Sequence, residues 1–203
     1  MIKAETMHVL TVLDHPNPAS LSAALARQFM KGAKAAGHTA ELADLHAEGF
    51  DPRWTIADIE ADGGANTPLD VLFEQERIAR ADAICLIFPV FWWGMPAMSK
   101  GWVDRVWSYG WAYDQLDDRE KSMQKKRPGV LLVPAGANSD DSEDAGYVKA
   151  LETAWMQGTF GYFGFSPRSL EILYGSTGSE ERRRHLLDQA YSIGAKLKAP
   201  EEE

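Results

Sequence analysis

Three consecutive aromatics, Phe91-Trp92-Trp93, are followed by Gly94 and lie between an apolar run, Ala83–Phe88, and a helix-opening Pro96. They are the side chains in this sequence best suited to hold a flat ligand. Aromatics at the carboxyl end of a parallel strand sit where an open α/β sheet places such a ligand. Their rings offer π faces, and the loop backbone offers N–H groups to a ring's carbonyls and nitrogens. Three adjacent side chains cannot all point into one core, so at least one is exposed or covers something. A core or a partner interface is the plainer account; a ligand platform covering Pro89, Val90, Phe91, Trp92, Trp93 and Gly94 is favoured.

Two further loops could do chemistry beside it. Asp14-His15-Pro16-Asn17-Pro18-Ala19-Ser20-Leu21-Ser22 leaves a first strand and enters a helix. A helix N-terminus presents free N–H groups and positive dipole to an anion. Ser20 and Ser22 add hydroxyls, and His15 can lend a proton or a charge; plain capping by Asn17 or Ser20 is the blander account. The loop has no Gly-Lys-Ser/Thr and no Gly-x-Gly-x-x-Gly, which disfavours nucleotide loops of those kinds. The third loop, Pro134-Ala135-Gly136-Ala137-Asn138, has small residues that let backbone amides approach a ligand closely. One loop suits a phosphate and two suit a planar ring, and a flavin nucleotide needs both. No protein nucleophile stands out: Cys85, the lone cysteine, lies inside an apolar run and reads as core. His8, His15, His38, His46 and His185 show no metal-ligand spacing, so no metal site is expected.

The elements that must position these loops alternate. His8–Leu13, Thr39–Leu45, Ala83–Phe88, Gly129–Val133 and Ser169–Leu173 read as strands. Helices are expected from about Pro18 or Ser20 to Ala36, from a Thr67-Pro68 cap to Arg80, over Pro96–Tyr109, from Tyr147 to about Phe160, and over Ser179–Lys198. Alternation of this kind predicts a three-layer α/β sandwich: a five-stranded parallel sheet, order 2-1-3-4-5, with helices on both faces. The switch point between strands one and three then brings the three loops to one crevice. One domain is expected over 1–203, with an acidic surface excursion at about 50–66 and a disordered tail at 199–203.

Composition excludes several classes. The chain has 203 residues, 45 % hydrophobic and 25 % charged, as in ordinary soluble domains. A net charge of −9 makes nucleic acid and anionic membranes poor partners. The acidic stretches 51–70, 140–144 and 201–203 read as solvated surface. The apolar stretch 84–98 is interrupted by Pro89 and Pro96 and is too short to span a bilayer, so no membrane insertion is expected. The N-terminus lacks an apolar signal segment, and the cytoplasm is the expected compartment. Eight aromatics (Trp102, Trp107, Trp111, Tyr113, Trp155, Phe160, Tyr162 and Phe163) are more than one small core easily hides, which points to a homodimer.

From Val9 to Leu197 the sequence resembles the NAD(P)H:quinone oxidoreductases of the DT-diaphorase type, in the flavodoxin-like superfamily. The resemblance is most specific over Asp70-Val71, Glu74-Gln75, Ala81-Asp82 and Phe88–Ala97, then Lys100-Gly101-Trp102, Asp104-Arg105-Val106 and Ala112-Tyr113. It implies a bound FAD, with FMN as the alternative, NAD(P)H as co-substrate, a quinone-like flat acceptor, ping-pong hydride transfer and a homodimer. It further implies that His15, Ser20, Leu21 and Ser22 hold the diphosphate end. Pro89 to Gly94 hold the ring, and Ala135, Gly136 and Ala137 run along its pyrimidine edge. Tyr113, with Trp111 and Phe163, lines the acceptor pocket of the other subunit, and Gly161–Phe165 faces that subunit. A Tyr and a His of the family's loop after strand four fall at Ser139 and Ala145, leaving Tyr147 as the nearest aromatic that can assist catalysis. The family's Thr-Thr-Gly-Gly turn is Pro134-Ala135-Gly136-Ala137. The alternatives are a nucleotide-sensing ancillary subunit of a membrane transporter and a one-electron flavodoxin-like carrier.

Overall fold

The computed structural model describes residues 6–61, 66–116, 119–137, 139 and 146–199. In chain order these form β1 (His8–Leu13), α1 (Leu21–Ala35), β2 (Thr39–Asp44), α2 (Ile56–Glu60), α3 (Leu69–Arg80) and β3 (Ala83–Ile87). Next come α4 (Ala97–Val106), β4 (Tyr113–Leu116), β5 (Arg119–Ser122), β6 (Arg127–Ala135) and α5 (Tyr147–Leu151). A π-helical stretch over Glu152–Gly161 continues α5, and β7 (Phe165–Tyr174) and α6 (Glu180–Ala195) complete the order.

The main sheet runs β2-β1-β3-β6-β7, with every neighbouring pair parallel. This is the expected 2-1-3-4-5 order once the separate antiparallel pair β4–β5 is left aside. Side chains alternate across the strands and so feed two cores. Leu10, Val12, Ile84, Leu86, Leu131 and Val133 face α3, α4 and α5 through Ile78, Trp102, Val106 and Leu151. Val9, Leu13, Cys85, Ile87, Val130 and Leu132 face α1 and α6 through Leu25, Phe29, Leu186 and Ala190. The result is the three-layer, flavodoxin-like α/β sandwich.

Four differences from the expected elements are local. The fourth sheet strand starts at Arg127 because the Arg127 guanidinium is buried and donates to the carbonyls of Ile78 and Ala81, at the end of α3. Pro128 is accommodated at a shift in strand register between Arg127 and Gly129. The helix expected to reach Tyr109 ends at Val106, and the chain turns through Gly110 (φ 78°) into the charged pair β4–β5, which shows no apolar alternation. Within the polar excursion, the Thr55 N–H and hydroxyl both donate to Asp58 at 2.7 Å and start the short α2. Pro68, rather than Thr67, occupies the cap position of α3 and makes no side-chain bond there. Residues 62–65 of the excursion and 200–203 of the tail lie outside the described residues.

The core also hides more aromatics than composition suggested. Trp102 and Phe160 are fully buried, and Trp107, Trp155 and Phe163 are all less than a tenth exposed. Trp107 is central to them, with Phe163 at 4.1 Å and Phe165 at 5.8 Å between ring centroids. The number of aromatics therefore does not by itself require a partner.

Candidate functional site

The loops after β1, β3 and β6 are fastened to one another at the carboxyl edge of the sheet. The Asp14 N–H donates to the Ile87 carbonyl at 2.9 Å, and the Val90 N–H donates to the Pro134 carbonyl at 3.1 Å. Beyond β6, the Ala135 and Ala137 carbonyls accept from Ser176 (3.0 Å) and Gly175 (3.3 Å), which ties the loop after β7 to the same crevice. Gly136 is exposed, and a methyl group added there would meet only Thr177, at 3.8 Å.

The aromatic loop has an unusual backbone. Phe91 and Gly94 exchange hydrogen bonds of 3.2 and 2.9 Å, closing a two-residue turn. Trp92 and Trp93 are its central residues, with φ of 50° and 55°. Positive φ at both central positions is the geometry that Asn-Gly fills in tight turns. For a bulky L-residue it costs roughly 1–2 kcal/mol each. The turn thus holds Trp92 completely in solvent and leaves Phe91 more than half exposed. Trp93 folds back and stacks on Tyr147, with centroids 4.1 Å apart and planes 9° from parallel. Backbone strain that displays an exposed tryptophan is a mark of a functional surface.

Tyr147 opens α5 behind Gly146, whose φ is 74°. Its ring therefore has a visible task in supporting Trp93. Tyr147→Phe preserves that stack and is expected to leave stability unchanged. Tyr147→Ala is expected to lose about 0.5–1.5 kcal/mol, as measured by chemical denaturation. Of the other residues after β6, Ala145 lies outside the described residues, as do Asn138 and 140–144.

In the first loop, Ser20 is the N-cap of α1: its hydroxyl oxygen accepts from the Ala23 N–H at 3.1 Å. The His15 Nδ1 accepts from the Asn17 N–H (3.0 Å), and the Asn17 side-chain oxygen accepts from the Ala19 N–H (2.9 Å). These bonds set the approach to the helix; the first-turn residues are Leu21, half-buried, and Ser22, 2 % exposed. Residues 16–19 are exposed, so the start of α1 is open to an anion.

Tyr113, Trp111 and Phe163 are not brought to this crevice. The chain leaves β3 at its carboxyl end and returns along α4, so the segment after Val106 lies at the amino edge of the sheet. There Phe163 packs on Trp107, next to the first residue of β7, with Trp111 6.1 Å from Phe163 and Tyr113 5.2 Å from Tyr162. Tyr113, Tyr162, Phe163 and the half-exposed Trp54 line a separate cleft of about 520 Å³.

Sequence reasoning passed over Asp14, Ser99 and His46, which meet beneath the crevice. Asp14 is only 4 % exposed. Its Oδ2 accepts from the Ser99 N–H at 2.8 Å and the Ser99 hydroxyl at 2.5 Å, and its Oδ1 lies 2.9 Å from His46 Nε2. A carboxylate directly after an apolar strand was the available signal.

Comparison with known proteins agrees with this architecture. A family model described as flavodoxin-like fold matches residues 7–197. The solved NAD(P)H:quinone oxidoreductase from Methanothermobacter marburgensis superposes with a TM-score of 0.87 at 33 % identity, over 96 % of this chain and 100 % of that one. The chain belongs to the flavodoxin-like family that contains the NAD(P)H:quinone oxidoreductases. An uncharacterized NAD(P)H oxidoreductase of Haemophilus influenzae is 28 % identical over 82 % of this chain and 83 % of its own length. The rat ribosyldihydronicotinamide dehydrogenase [quinone] is 26 % identical over 88 % and 87 %.

Proposed function

We propose that this protein is a flavin-dependent NAD(P)H oxidoreductase that passes a hydride from NAD(P)H to a quinone or a similar flat electrophile. The observation that carries the reading is the strained Phe91–Gly94 turn, which presents bare aromatic surface at the crevice where the three loops meet. The residues fit a flavin nucleotide: an open helix N-terminus for its phosphates, π surface for its ring, and an uncrowded Gly136 along a ring edge. When bound, the flavin supplies the hydride chemistry of the reaction.

The chain's own residues bind and orient. The first turn of α1 (Ser20, Leu21, Ser22), with His15 beside it, meets the phosphate end. Phe91, Trp92 and Trp93 bound the ring, with Pro89, Val90 and Gly94 supplying backbone around it. The N–H groups of Gly136 and Ala137, beside Ala135, would serve as donors along the pyrimidine edge of the ring and favour negative charge there. Tyr147 holds Trp93 in place. Nicotinamide and acceptor occupy one place in turn, which gives ping-pong kinetics. FAD is preferred to FMN because the His15–Ser22 loop resembles that of the FAD-binding branch. Tyr113, Trp111 and Phe163 lie at the far edge of their own sheet, so they serve an acceptor pocket only across a homodimer. The cleft around Tyr113 and Trp54 is the surface a second copy would cover. We place the whole function in a single domain.

The expected result is a yellow protein with about one flavin per chain, bleached anaerobically by NAD(P)H and recoloured by a quinone. Absorption spectra and the mass of the released cofactor check this. A colourless protein that neither FAD nor FMN reconstitutes overturns the reading.

A further inference from the structure

Helix α4 starts immediately beyond the aromatic turn, and its cap position is Pro96, which makes no side-chain bond to the first turn. The missing acceptor comes from another strand. Asp14, the residue after β1, accepts the N–H of Ser99, third in the helix, and the Ser99 hydroxyl as well. A carboxylate there satisfies a first-turn donor and sets negative charge against the positive end of the helix dipole. The Asp14 N–H also bonds the Ile87 carbonyl, the last residue of β3. His46 meets the other carboxylate oxygen at 2.9 Å and is itself 28 % exposed, so it closes the cluster on the solvent side.

One residue at the root of the 14–20 loop thus holds both flanks of the 88–96 loop: its backbone N–H holds the end of β3 and its carboxylate the start of α4. We infer that Asp14 is a positioning residue: by clasping α4 it sets the spacing between the open N-terminus of α1 and the Trp92-Trp93 turn, so that both ends of one flavin nucleotide are met together. The inference rests on the flavin reading above for its consequence, and on the hydrogen bonds for the clasp itself. Asp14 touches Ser99 and His46, neither of which has a proposed contact with ligand, so its action is transmitted through α4 and the loop.

The test separates the clasp from its consequence. Asp14→Ala is compared with Ser99→Ala, Asp14→Asn and a control, Leu186→Ala, whose side chain, on α6, is fully buried in the opposite core that also contains α1. Amide hydrogen exchange on the flavin-free chain reads the clasp. Fluorescence titration with FAD and with FMN reads the consequence. Loss of a hydrogen bond to a charged group corresponds to a change of roughly tenfold or more. Asp14→Ala is expected to speed exchange over 89–100 by about that factor and to weaken flavin binding by at least as much. Ser99→Ala, which keeps its N–H, does less, and Asp14→Asn, which keeps an acceptor oxygen for that N–H, recovers most of the protection. Leu186→Ala lowers overall stability yet leaves the local exchange and the flavin affinity nearly unchanged. The inference is overturned if Asp14→Ala loosens 89–100 no more than the control does, or loosens it without weakening flavin binding. A wild-type chain that binds neither flavin sinks the flavin reading, and the exchange comparison then decides the clasp alone.

Discussion

Arg77→Met is expected to lower the unfolding free energy by about 3–5 kcal/mol, the scale for removing one partner of a buried ionic cluster. The melting temperature should fall by roughly 10 °C for a chain of this length. The Arg77 side chain is 4 % exposed and binds three carboxylates: Glu41 at 2.8 Å, Glu48 at 2.5 Å and Glu74 at 2.9 Å. It also donates to the Leu42 carbonyl at 2.8 Å. Among the described residues, Glu74, 3 % exposed, keeps only the Trp102 indole N–H (2.9 Å) once the guanidinium is gone. The large effect therefore comes from stranding a carboxylate in the core beneath α4, more than from the attraction lost. Adding Glu74→Gln should return part of the stability, because a neutral amide is far cheaper to bury unpaired. Urea denaturation of the single and double variants checks both statements. A single-variant loss below about 1 kcal/mol would place the cluster among ordinary surface pairs.

The same cluster sets a pH dependence. Burial works to raise the Glu41 pKa, but bonds from His8, Arg77 and Arg80 outweigh it and hold the carboxyl below its usual range. A folded value below the unfolded one means that its contribution is full above the ordinary glutamate value of about 4.3 and is lost as pH falls through the depressed one. Stability should accordingly decline on the acid side of about pH 5, and less steeply in the Arg77 variant.

Much of this architecture is legible in the sequence because its signals are local. The apolar runs at 8–13 and 83–88, separated by amphipathic helices, leave a doubly wound parallel sheet as the natural solution. Small and turn-forming residues after β1, β3 and β6 mark the crevice. Other features depend on contacts distant in sequence. Arg127 reads as a charged lead-in until the carbonyls at the end of α3 are placed against it. The pair β4–β5 is stabilised by its ladder and by anchors such as the Gln124 amide on the Trp111 carbonyl (2.8 Å), which no periodicity encodes. Asp14 looks like a surface loop residue until His46 and Ser99, 32 and 85 positions away, close over it. The positive φ values of Trp92 and Trp93 were also hidden, because tryptophan is among the last residues one would assign to a tight turn.

That turn gives the second large effect. Replacing Trp92-Trp93 by Asn-Gly is expected to leave the flavin-free protein as stable as before, or more stable by about 1 kcal/mol. Asn and Gly adopt the required positive φ without the roughly 1–2 kcal/mol per residue that tryptophan bears. Trp92 is completely exposed, so its removal uncovers nothing. Trp93 forfeits its stack on Tyr147, a loss of about 0.5–1.5 kcal/mol that the relieved backbone offsets. Flavin affinity moves the other way. Two rings lost at about 1 kcal/mol each correspond to roughly thirtyfold weaker binding. Trp102→Ala provides the contrast: that side chain is fully buried and bonded to Glu74, and its loss should cost about 3–5 kcal/mol through the cavity left behind. Fluorescence titration and chemical denaturation on the three proteins read both quantities. If the Asn-Gly variant collapses in stability while binding flavin as tightly as the parent, the two tryptophans are structural, and the ring must be held by another part of the crevice. If it gains stability and loses the flavin, the strain in the turn is what the fold sustains in order to present a binding surface.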